Sequence, residues 1–180
     1  FHTLTAKLLF LSKRARPDIL TAVAFLTTRV KSPTEEDLDK LGRVIKYLNF
    51  TPNLRLTLEC NDITKLICRA DGAHVVHPDM RGHTGGIFTL GKGAIYSTST
   101  RQKINTKSST ETELVAASGI LTQAIWCKNF IREQLNVEKK IILLQDNMSA
   151  ILLEKNGISS SGKNMRHLSI RAFWIADRVK

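Results

Sequence analysis

The run from Ser109 to Leu135 constrains this chain most. Its apolar residues recur at helical spacing, which predicts one long helix. One face carries Ala116, Ala117, Ile120, Ala124, Cys127 and Ile131. Small side chains on that face allow close approach to a flat partner, so the helix is expected to lie on a sheet. Its start is the stretch KSSTETELVA, Lys107–Ala116, with two glutamates two residues apart. Residues at that spacing do not share a helix face. Glu113 falls on the small-residue face and is expected to point toward the sheet. Glu111 lines up with Val115, Ser118, Thr122 and Asn129, and is expected to face solvent or cap the helix N-terminus.

A sheet to receive this helix is legible on both sides of it. Leu54, Leu56 and Leu58 alternate with polar residues, as in a half-buried strand. A second strand is expected over Lys65–Ala70, ending at Asp71-Gly72. Two more are expected at Gly86–Leu90 and Ala94–Thr98, joined by a tight Gly91-Lys92-Gly93 hairpin. After the long helix comes a short strand, Ile141–Gln145, stopping at Asp146. Helices follow near Met148–Lys155 and Leu168–Lys180. The order predicts an α/β fold, a mixed sheet flanked by helices. Residues 1–53 read instead as a small helical segment. Apolar spacing predicts a helix over residues 3–12, a second opened by Pro17 and Asp18, and a third carrying Leu38, Leu41, Ile45 and Leu48. Ser32-Pro33-Thr34-Glu35 reads as the capping box of that third helix.

Composition narrows the partners. A formal net charge of +11, spread over both parts of the chain, favours a polyanion such as nucleic acid, although a generic basic surface would look the same. Cys60, Cys68 and Cys127 match no metal spacing, and their odd number speaks against a disulfide framework, so a reducing intracellular setting is expected. No run reads as a membrane span. The chain opens on Phe1 and ends within a helical pattern, as expected of an internal piece of a longer polypeptide.

Three acids then stand out by position. Asp71 ends a predicted strand, Asp146 ends another, and Glu113 opens the helix between them. Singly, each fits ordinary turn or cap chemistry. Jointly, they place carboxylates at the strand ends of one sheet, where sites in such folds form. Carboxylates so placed can hold magnesium, and two such ions can clamp an in-line phosphoryl displacement. A basic chain with this cluster reads as a nuclease.

The motifs carry a resemblance. ARPDILTAVAFL (Ala15–Leu26), ADGAHVVHPDMRGHTGG (Ala70–Gly86), YSTSTRQKINTKSSTETELVA (Tyr96–Ala116), QDNMSAILLEKN (Gln145–Asn156) and GKNMRHLSIRAFWIADRV (Gly162–Val179) occur in order. Together they resemble the end of the reverse transcriptase and the ribonuclease H (RNase H) domain of copia-type LTR retrotransposon polyproteins. The resemblance implies that residues 1–53 are the helical C-terminal, or connection, part of a reverse transcriptase. It implies an RNase H-like domain over residues 54–180 that lacks the last strand and helix of that fold. It also implies cleavage of the RNA strand of RNA–DNA hybrids with two Mg2+ ions on Asp71, Glu113 and Asp146. Asp79 matches a family aspartate and reads as a loop turn.

The sequence departs from the family at Ala73 and His74, where an aspartate and a tryptophan are usual. It departs again at Ser169, where the family's HID motif has its aspartate. The family's fourth catalytic aspartate has no counterpart here. Arg101, Gln102, Lys103 and Lys107 are candidates to meet the hybrid backbone, with Lys163, Arg166 and His167 as weaker ones. Expected partners are the hybrid and the rest of the Pol polyprotein, including the reverse transcriptase palm and the integrase, with no membrane. The expected location is a cytoplasmic particle, the nucleus, or both. The alternative reading is a non-catalytic nucleic-acid-binding relic of such an element.

Overall fold

Helices build the first fifty residues. They are α1 (His2–Arg14), a single 3-10 turn (Pro17–Ile19), α2 (Leu20–Thr27) and α3 (Glu35–Phe50). The computed structural model describes residues 1–156, 171 and 174–178 and divides into two units, Phe1–Leu58 and Glu59–Lys180. In the first unit Leu8, Ile19, Val23, Leu26, Leu41 and Val44 form the core. Arg16 ties its chain together. Its guanidinium donates to Asp18 at 2.8 Å and to the Thr51 carbonyl at 2.9 Å. The capping box lies two residues later than the sequence pattern suggested. Thr34 is the N-cap, its hydroxyl accepts from the Asp37 N–H, and the Asp37 carboxylate accepts from the Thr34 N–H at 3.0 Å. Pro33 therefore precedes the helix, where its missing N–H breaks no helical bond.

The second unit holds β1 (Glu59–Cys60), β2 (Lys65–Ala73), β3 (His83–Thr89), β4 (Gly91–Lys92), β5 (Tyr96–Arg101), α4 (Ser109–Leu135), β6 (Lys140–Leu144) and α5 (Met148–Asn156). The main sheet runs β5-β3-β2-β6, with β6 parallel to β2 and the other pairs antiparallel. It is the mixed α/β sheet that the element order predicted. α4 packs on β2 and β3, and Leu66, Cys68, Ala70 and Phe88 meet Ala116, Ala117, Ile120 and Ala124 in one core. Ser108 caps this helix and Asn136, in the left-handed region at φ 50°, ends it. By length and apolarity α4 would pass for a membrane span, against the sequence expectation. Its inner face instead fills the core against the sheet.

Three expectations need correction. Leu54, Leu56 and Leu58 form no strand. Leu54 and Leu58 are 50% and 55% exposed, and only Glu59–Cys60 pair, with Gly91–Lys92. Alternation marks a strand only where a partner takes up its hydrogen bonds, and pairing begins only at Glu59. Gly91-Lys92-Gly93 is accordingly not a tight hairpin. Two of its residues are β4, and Gly93 turns the chain at φ 72°. Finally, β2 does not stop at Asp71. It runs on to Ala73, because Asp71 pairs with Gly85 and Ala73 with His83. Of the predicted last helix, residues 174–178 are helical, with Ile175 in the core.

Candidate metal centre

Strand pairing sets the first two acids side by side. β2 and β6 are parallel, with Arg69 opposite Leu144. Two residues further along, the same register brings Asp71 beside Asp146, both exposed at the same end of the sheet. Glu113 arrives from α4. Its approach depends on Gly72, next to Asp71. A Cβ there would stand 2.7 Å from the Thr112 carbonyl oxygen and 2.9 Å from the Glu113 nitrogen. Only glycine lets the first turn of α4 rest directly on β2.

As a result, oxygens of Asp71, Glu113 and Asp146 all lie within 4.8 Å of one another. Glu113 is the buried member, only 7% exposed. Burial, then the Asp71 and Asp146 charges, push its carboxyl up to about 7. The Gln145 amide and the Gly72 backbone act against that rise. Its Oε2 has no hydrogen-bond partner. Three convergent carboxylates, one with an unsatisfied buried oxygen, form an all-oxygen donor set suited to a hard divalent cation.

Glu111 takes the capping role of the two expected for it, and it is buried rather than solvent-facing. Its carboxylate accepts from the Lys107 N–H at 2.6 Å, while its own N–H donates to the Ser108 hydroxyl. Both contacts satisfy groups at the helix start. Asp79 lies in the loop after β2, pairs with Arg101 at 3.0 Å and Arg81 at 3.2 Å, and is not a member of the three-acid cluster.

The basic candidates separate. Lys103 and Lys107 are exposed between β5 and α4, and Arg101 is exposed but engaged by Asp79. Gln102 is a correction. It is 4% exposed, and its amide donates to the Thr84 hydroxyl at 3.1 Å and the Thr112 carbonyl at 3.0 Å. It fastens β3 to the start of α4, so its side chain is not available to a nucleic-acid backbone. Lys163, Arg166 and His167 lie outside the described residues. His74, at the family's tryptophan position, sits 3.0 Å from the Thr112 hydroxyl, which is also 2.6 Å from that of Thr106. These contacts hold the turn of α4 that carries Glu113.

Sequence reasoning missed Gly72, Gln145 and Glu154. Asp71-Gly72 reads as a turn, which hides a close approach by a distant helix. Glu154 is four residues from Ala150 on α5 and shares its buried face, a spacing that could have revealed it.

Fold and site together define an α/β domain presenting a three-carboxylate cluster at one end of its sheet. Comparison with known proteins identifies the kin. The chain is 29% identical over 180 residues, 99% of its length, to the retrovirus-related Pol polyprotein from transposon TNT 1-94 of Nicotiana tabacum. It is 30% identical over 92% of its length to the corresponding polyprotein from transposon RE1 of Arabidopsis thaliana. It is 29% identical over 66% of its length to a putative transposon Ty5-1 protein of Saccharomyces cerevisiae. No family model matches. The chain thus stands among the retrovirus-related Pol sequences of transposons, as the copia-type motifs implied. It spans 13% and 11% of the length of the two polyproteins and 39% of the Ty5-1 protein.

Proposed function

We propose that residues 54–180 form an RNase H-like nuclease domain. It cleaves the RNA strand of RNA–DNA hybrids during reverse transcription of a retrotransposon. Residues 1–53 are, on this reading, the helical connection from the reverse transcriptase. One observation carries the proposal: carboxylates from a strand, a helix and a neighbouring strand converge to within 4.8 Å. The Pol kinship supplies the context.

Asp71, Glu113 and Asp146 would hold two Mg2+ ions, which supply an activated water and neutralise the leaving oxygen when bound. The chain's own part is placement. Asp71 and Asp146 offer exposed oxygens toward an approaching phosphate, and Glu113 offers one from behind them. Its raised carboxyl must shed its proton before it can bind a cation well. Lys103 and Lys107, exposed beside the start of α4, would meet the hybrid backbone. Choice of RNA would rest on 2′-hydroxyl contacts in a wide, shallow groove. The rest of the Pol polyprotein is the proposed partner, and a cytoplasmic particle or the nucleus the proposed place of action.

The test is cleavage of an end-labelled RNA–DNA hybrid with Mg2+, beside RNA–RNA and DNA–DNA duplexes and an Asp146→Asn variant. Cleavage of hybrid RNA alone, lost in the variant, is the expected result. Hybrid binding without cleavage would overturn the nuclease and favour the non-catalytic relic, which the departures at Ala73, His74 and Ser169 would then explain.

A further inference from the structure

A second buried carboxylate lies behind the metal centre. Glu154, on α5, is only 5% exposed. It lies near enough to Glu113 for the two charges to oppose each other. Between them stands Gln145, the residue following β6 and preceding Asp146. The Gln145 Oε1 accepts the Asp146 N–H at 3.0 Å. That bond fixes one end of the amide and leaves the Nε2 end to the two carboxyls, both of which it stabilises in their charged form. Glu113 Oε2, Gln145 Nε2 and Glu154 Oε1 are all buried, and none has a partner of good hydrogen-bond geometry. An amide nitrogen carries two N–H donors, one for each carboxylate. The donors and the acceptors therefore match in number at one place.

We propose that Glu154 is a positioning residue of the metal centre, acting on Glu113 through the Gln145 amide. Glu154 takes one N–H of Gln145 and thereby holds the other toward Glu113. The amide then occupies one side of the Glu113 carboxylate and turns its remaining lone pairs toward Asp71 and Asp146. The same side chain is bonded to the Asp146 backbone, so one amide sets two of the three acids. Outer partners of metal ligands act this way, orienting the ligand without touching the ion. The inference rests on the reading of the three acids as metal ligands.

The test is Mn2+ titration of the full 180-residue chain without nucleic acid, read by calorimetry and by the spin resonance of free Mn2+. Glu154→Leu should weaken Mn2+ binding about tenfold, and so should Gln145→Met, which keeps the volume but removes the amide. Glu154→Gln keeps an acceptor for the Gln145 N–H and should stay within about threefold of the parent. Parent-like affinity in Glu154→Leu overturns the proposal. So does a Glu154→Gln variant as weak as Glu154→Leu, because charge rather than position would then matter. Should Glu154→Leu fail to fold, unchanged affinity in Gln145→Met overturns it equally. A parent chain that binds no Mn2+ overturns it as well. A parent that binds Mn2+ but cleaves no hybrid defeats the nuclease reading and leaves this one standing.

Discussion

Replacing Gly72 with alanine tests how the site is built. The added methyl would stand 2.7 Å from the Thr112 carbonyl oxygen, 2.8 Å from its carbon and 2.9 Å from the Glu113 nitrogen. All three are backbone atoms of the first turn of α4, so no rotamer change can relieve the clash. Helix and strand must separate by the better part of 1 Å to restore ordinary contact. Overpacking of this kind costs about 1–3 kcal/mol. For a unit of this size the melting temperature should fall by roughly 4–12 °C. The site should suffer more than the fold, because Glu113 rides on the displaced turn. A misplacement near 1 Å costs on the order of a hundredfold in rate where geometry is critical. Gly85→Ala is the control. It lies directly opposite Asp71, yet its methyl would meet only the Asp71 carbonyl, at 3.9 Å. Thermal melts and Mn2+ titrations of both variants decide the matter. A Gly72→Ala chain that melts and binds Mn2+ like Gly85→Ala would refute the idea that glycine admits the helix.

Three further predictions follow from charge and burial. The Glu113 carboxyl is raised in the folded chain from an ordinary value near 4.5 to about 7, so between those values the folded state binds more protons than the unfolded one. Metal-free stability should therefore decline as pH rises from about 4.5 through 7, and Glu113→Gln should lessen that decline in melts run with chelator, leaving the share of Glu154, whose carboxyl burial also pushes up to about 7. On the surface, alanine at Lys103 and Lys107 should weaken hybrid binding and lower its salt slope by about one for each phosphate that the lysine had neutralised. Gln102→Ala should instead lower the melting temperature and leave that slope unchanged, as binding isotherms at several salt concentrations would show.

Much of this was legible where the controlling interactions are local. The ends of α4 follow from a serine cap and an asparagine that tolerates the left-handed region. The separation of Glu113 from Glu111 follows from helical spacing alone. What stayed hidden depends on partners far along the chain. The alternating leucines at 54, 56 and 58 have a strand's pattern, but no neighbouring strand pairs there. Gln102 sits in a basic run and reads as surface, yet Thr84 and Thr112 close over it. Gln145 and Glu154 look unremarkable until α5 folds back and buries Glu154 and the Gln145 amide nitrogen.

The parallel pairing of β2 with β6 carries a kinetic consequence. Asp71 and Asp146 come together only after β3, β5 and α4 have been laid down between them, so the cluster closes a long loop. Such contacts recover their chain entropy late in folding. A cation that recognises only the closed cluster would act as a latch on the last step. At a concentration one hundred times its dissociation constant it would add about 2.7 kcal/mol to the folded state. Amide exchange in β6 should then slow when the ion is added, while exchange in α1 to α3 stays as it was.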